Sequence, residues 1–150
     1  MQATIRPVAI IVDSMQRYIL RVPDRKHPHT WHSSNIWHLY EGYMYRNTSP
    51  RDCMLLELAR NVSCRWRVQM DYKRDEDIPV EYEYPPVVSS GSVWHPYLIK
   101  DSWWLWPKDD CIVIQAHHMR EAVEDDAYYP RFLPGIADVF RQHFRHIDNK

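Results

Sequence analysis

The chain has 150 residues and a mass of 18.2 kDa, with 45% hydrophobic and 26% charged residues and a formal net charge of −1. That is enough chain for one domain with a core, and the near-zero charge speaks against a strongly basic polyanion binder. Three glycines exclude the glycine-rich phosphate loops GxGxxG and GxxxxGK[ST]. No run of eighteen apolar residues suggests a membrane helix, and the apolar run Val8 to Val12 is too short for a signal-peptide core. Cys53, Cys64 and Cys111 show no CxxC spacing, which predicts no disulfide framework and a reducing, cytoplasmic location.

Taken in order, Val8 to Asp13 reads as a strand, and Arg17 to Val22 as a second with a period of two. Residues 23–35, PDRKHPHTWHSSN, have loop composition. Ile36 to Arg46 is rich in Trp, Tyr and Leu and predicts a third strand with Gly42 at a bulge or bend. A helix is predicted from Pro50 to about Val62. Ser49 stands at the N-cap, Pro50 at the first helical position and Asp52 three residues after the cap. Leu55, Leu58, Ala59 and Val62 then form one apolar stripe.

Cys64 to Tyr72 alternates apolar and polar, and Val80 to Tyr84 repeats the pattern. Paired as a hairpin, these strands would set Arg67 opposite Glu83 and Gln69 opposite Glu81. Residues 85–96, PPVVSSGSVWHP, read as a twelve-residue connection without periodicity. Four tryptophans follow between Val93 and Gln115, where two short strands are predicted around the turn Pro107-Lys108-Asp109-Asp110. A last helix is predicted from about Gly135 to Ile147, with Ile136, Phe140, Phe144 and Ile147 on one face. The whole predicts a single α+β domain: a mostly antiparallel sheet with two main helices, about 50–62 and 135–147, packed on one face.

Charge is unevenly placed. Residues 1–70 carry ten Lys/Arg against five Asp/Glu, and residues 71–126 carry five against thirteen. Arginine side chains suit carboxylates and phosphates alike, so the expectation is that the two halves neutralise each other within one fold.

Among candidate chemistries, His27, His29 and His32 have the spacing H-x-H-x-x-H. This resembles the histidine spacing of the metallo-β-lactamase-fold motif HxHxDH over six residues, with Trp31 in the aspartate position. The three would serve a metal-dependent hydrolase if His38, His95 or Cys111 closed the site. His117, His118 and Glu121 lack an HExxH partner. His143 and His146 read as cations near a helix C-terminus. No GxSxG elbow exists. A second candidate is single-stranded nucleic-acid binding through Arg17, Arg21, Arg65 and Arg67, interleaved with aromatics.

The favoured expectation is a non-enzymatic protein-binding module of the inhibitor, immunity or adaptor kind, with no cofactor. Trp94, Val88 and Trp104 would be its anchors, and Glu81, Glu83 and Asp109 its charged rim. Its partner would be another protein, with nucleic acid second and no membrane.

Overall fold

Val8 to Val12 is apolar without interruption, and a strand of that composition has to be covered on both faces. In the computed structural model, which describes residues 4–21, 37–45, 47–64, 78–100, 105–107, 111–124 and 134–150, it lies in mid-sheet as β1 (Thr4–Val12). Its neighbour on one side is the equally long β7 (Ser92–Lys100), in parallel register from Thr4↔Ser92 to Val12↔Lys100. On the other side lie β2 (Arg17–Arg21) and, beyond it, β9 (Cys111–Gln115). The short strands β3 (Tyr40–Glu41), β5 (Tyr82–Glu83) and β6 (Val87–Ser89) pair with β1, β7 and β7. Apart from β1–β7, the pairings of this sheet are antiparallel. A separate two-stranded sheet joins β4 (Val62–Cys64) to β8 (Leu105–Pro107).

Three helices complete the α+β architecture: α1 (Pro50–Asn61), α2 (Ala116–Glu124) and α3 (Pro134–Asp148). The start of α1 is set as its sequence predicts, the Asp52 backbone N–H donating to Ser49 Oγ at 3.1 Å. Because side chains alternate along a strand, β1 feeds two cores. Val8, Ile10 and Val12 pack with Tyr18, Leu20, Trp94 and Leu98 under Met119 and Val123 of α2 and Ile136, Phe140 and Phe144 of α3. Ala9 and Ile11 pack with Ile19, Tyr97 and Ile99 under Met54, Leu55 and Leu58 of α1. The two main helices therefore cover opposite faces, which corrects the expectation that they share one. A sheet apolar on both sides needs a helix layer on each.

Two further corrections concern strand pairing. Residues 85–96 are not an open connection: β6 and β7 form a hairpin with Ser89 opposite Ser92. Ser90 and Gly91 both have positive φ, 53° and 77°, which is the type I′ turn that matches strand twist. The strands flanking Pro107–Asp110 are not a hairpin either. β8 pairs with β4, while β9 pairs with β2 from Arg17↔Gln115 to Arg21↔Cys111. Of the strand predicted over Cys64 to Tyr72, only its first residue is described, at the end of β4; residues 65–77, with the Arg67–Glu83 and Gln69–Glu81 register, lie outside the described set. Among the described residues, no helix is long and apolar enough to cross a membrane.

His143 is buried, not a solvated helix-end cation. Its Nε2 lies 2.6 Å from the Tyr18 hydroxyl and its Nδ1 bonds the Tyr84 hydroxyl. A neutral imidazole has one N–H and one lone pair, so one tyrosine accepts and the other donates, and the ring ties α3 to β2 and to the residue after β5. Burial, with lesser help from the His146 and Arg120 charges, pushes its pKa down to about 4, whereas an unfolded histidine titrates near 6.5. Between these values the unfolded chain binds the extra proton, so this contribution to stability is complete above about pH 6.5 and is lost as pH falls toward 4. Urea unfolding should show a loss of about 3 kcal/mol from this group over that window. His143→Phe should be less stable at neutral pH yet show a shallower acid slope. Equal slopes in the two proteins would contradict the buried neutral imidazole.

Candidate active site

Strand register determines which charged side chains meet. Arg6 is directly opposite Trp94 across the parallel pair, so both project to one face, and the guanidinium lies 4.1 Å from the indole centroid. Val8 is opposite Glu41, which makes Arg6 and Glu41 diagonal neighbours on that face. Arg6 accordingly donates to both carboxylate oxygens of Glu41, Nε at 2.9 Å and a terminal nitrogen at 2.8 Å. The result is a row, Trp94–Arg6–Glu41, running across β7, β1 and β3.

Next to it the sheet forks. β1 and β2 pair only at Ile11↔Ile19 and Val12↔Tyr18. Beyond that, β1 takes Tyr40 and Glu41 as partners, and Arg21 exchanges two backbone hydrogen bonds with His38, both 2.8 Å. Directly opposed residues project together, so the Arg21 and His38 side chains stand side by side. Glu57 comes from α1, three and four residues after the buried Met54 and Cys53, and so lies on the flank of the helix that meets the sheet. A cavity of about 230 Å³ opens here, lined by Arg6, Arg21, His38, Leu39, Glu41, Tyr43 and Glu57. It brings cations and carboxylates together from β1, β2, β3 and its flanks, and α1.

A larger cavity, about 400 Å³, lies on the outside of α2 and α3 between Arg120, Glu124, Arg141, Phe144, Arg145 and Asp148. Its size does not make it the better site. Asp148 already accepts two bonds from Arg120, at 3.0 and 2.8 Å. Arg141 is held by Asp138 and by the Val123 carbonyl. Two of its three guanidinium groups are thus engaged in joining helices.

The residues singled out from sequence scatter. Trp94 is 1% exposed and belongs to the core, with α3 so close that a methyl group at Gly135 would fall 2.0 Å from its Nε1; it is no surface anchor. Val88 is 78% exposed on β6. Glu81 pairs with Lys100 at 3.5 Å, and Glu83 is exposed on β5. Arg17 is held by Asp13 at 2.7 Å, and among the described members of the nucleic-acid set only Arg21 reaches the cavity. Trp104, Asp109, Arg65, Arg67, His27, His29 and His32 lie outside the described residues. Sequence reading missed Arg6, Glu41, Tyr43 and Glu57. For Glu57 a signal existed, a lone carboxylate at helical spacing from apolar residues.

No family model and no curated protein matches this sequence, but solved structures match it. The E. coli ORF135 protein superimposes with a TM-score of 0.61 at 14% identity, over 97% of this chain and 91% of that one. A mutT/nudix family protein from Listeria innocua gives 0.59 at 12% identity, over 99% and 96%. The fold is that of a mutT/nudix protein. The Ap4A hydrolase of C. elegans gives 0.54 at 10% identity, over 98% and 99%. These likenesses overturn the expectation of a non-enzymatic inhibitor, immunity-type or adaptor module: the fold is shared end to end with a hydrolase, and the leading anchor, Trp94, is sealed in the core.

The distance between α1 and the sheet depends on Gly42. Its N–H donates to the Pro7 carbonyl at 2.8 Å, and a Cβ there would sit 2.4 Å from the Cys53 carbonyl oxygen and 2.7 Å from the Met54 nitrogen. Both are backbone atoms of α1, so the helix itself would have to move. Gly42→Ala should cost about 1–3 kcal/mol and lower Tm by roughly 2–10 °C; an unchanged Tm in calorimetry would rule out the contact.

Proposed function

We propose that this chain is a hydrolase of phosphate-bearing small molecules, acting in the cavity at the fork. The observation that carries the reading is the convergence there of Arg6, Arg21, His38, Glu41 and Glu57, on a fold shared with an Ap4A hydrolase and a mutT/nudix family protein. Arg21 and His38 would hold phosphate oxygens, the guanidinium fork matching them two at a time. Arg6 is fixed by Glu41 and by the Trp94 ring, so its charge is in place before substrate arrives and needs no reorganisation. Glu57, which α1 brings to the cavity wall, would orient a water and take its proton as oxygen bonds to phosphorus and the bond to the leaving oxygen breaks.

Divalent cations commonly neutralise charge in such reactions. The described residues do not fit one: they hold no group of three His, Cys, Asp or Glu side chains suited to a metal ion, and both Glu41 oxygens are already bonded to Arg6. No step is therefore assigned to a metal. A cytoplasmic setting agrees with this reading, since Cys53 is buried and unpaired.

Purified protein should release product from Ap4A or from nucleoside triphosphates. Glu57→Gln should lower kcat by about 10²- to 10⁴-fold. Arg21→Ala should raise KM by about 10-fold or more, as expected for loss of a charged hydrogen bond. Absence of turnover across the panel, or full activity in Glu57→Gln, would refute the assignment.

A further inference from the structure

The main sheet has two edges, and the sequence treats them differently. At one edge lie β5 and β6, two and three residues long. Between them stand Pro85 and Pro86, which have no backbone N–H to donate, and Glu81 and Glu83 add charge beside them. Short strands, prolines and charges are what keep a sheet edge from pairing with another chain. At the other edge lies β9, Cys111-Ile112-Val113-Ile114-Gln115. It has no proline and no charge, and β2 pairs all of it in one unbroken register. Among the described residues no strand pairs with its outer side. Val113 is 49% exposed, and Ile112 and Ile114 are only partly buried. A regular, uncharged, β-branched strand with an open side is a template for strand addition.

We propose that β9 is the surface through which two copies of this chain associate, each β9 pairing antiparallel with the other about Val113 so that the two sheets become one. An interface of a strand with its own copy is isologous. Directly opposed residues project to one face of a sheet, so the two-fold axis has to pass where a residue meets itself. Of the registers that satisfy this, the one centred on Val113 pairs the whole strand: Val113 with Val113, Ile112 with Ile114, and Cys111 with Gln115. No charge then opposes a like charge, and each β-branched side chain gains another across the interface. A second copy brings this match by symmetry, whereas an unrelated strand has none built in. The inference does not depend on the hydrolase reading, although the interface closes the end of the sheet that carries Arg21, opposite Cys111 on β2.

Sedimentation equilibrium should find the full chain at twice its 18.2 kDa. Val113→Lys would set two cations face to face, and should weaken the dimer about 100-fold or more while leaving the far-UV circular dichroism unchanged. Val113→Cys gives a second readout that does not need the dimer to be lost. Opposed residues of an antiparallel pair have Cα atoms about 4.5–5.5 Å apart, inside the range of roughly 4.4–6.8 Å that a disulfide spans. Mild oxidation with oxidised glutathione should therefore link two copies of Val113→Cys beyond the level of wild type. Val88→Cys, 78% exposed at the other edge, should not link. A wild type that sediments as a monomer, a folded Val113→Lys that dimerises as well as wild type, or equal linking of Val88→Cys and Val113→Cys would overturn the proposal. If Val113→Lys fails to fold, the linking of Val113→Cys decides.

Discussion

The parallel pairing of β1 with β7 places nearly everything else. Two long strands side by side in mid-sheet, apolar on both faces, cannot be left half-covered. One face takes α1 and the other α2 and α3, and the alternation along β1 divides its side chains between the two cores. The hairpin turn at Ser90-Gly91 and the His143–Tyr18–Tyr84 cluster serve the same arrangement. The first brings β6 back against β7, and the second fastens α3 to the sheet by hydrogen bonds that leave the buried imidazole satisfied.

The candidate site is a consequence of that register. Because Arg6 is opposite Trp94 and diagonal to Glu41, its guanidinium is fixed by two neighbours before any ligand is considered. Because β2 leaves β1 after two residue pairs, the segment of residues 38–41 enters the gap and sets His38 beside Arg21. A charged cavity in a sheet that is otherwise apolar at its centre is a local departure from the rule that builds the rest, and such departures mark functional positions. The ion pairs also run differently from the charge map of the sequence. Arg6–Glu41, Arg17–Asp13 and Lys100–Glu81 each join residues of the same half, while Arg65 and Arg67, expected to meet Glu81 and Glu83, lie outside the described residues.

What was legible in the sequence is what local chemistry determines. The N-cap at Ser49 and the stripes of α1 and α3 delimit those helices almost to the residue, and the apolar run of β1 announced a strand. The α+β class follows from these. The turn at Ser90-Gly91 went unread because serine stands where asparagine or aspartate is the stronger signal. The partners of β8 and β9 went unread because pairing across long separations has no local mark. Trp94 looked like a surface anchor in an apolar loop, and only the hairpin shows that it faces α3. The cavity was the least legible part, since Arg6, Arg21, His38 and Glu57 come from four stretches of chain that only the fork brings together.

The central claim is that phosphate is held at the fork and not on the outer surface of α2 and α3. Titrating isotopically labelled protein with inorganic pyrophosphate, followed by amide chemical shifts, tests it directly. The account predicts saturable shifts at Arg6, Arg21, His38 and Glu57, with little change around Arg120 and Arg145. Shifts confined to Arg120, Arg141 and Arg145 would place the anion in the other cavity and contradict it.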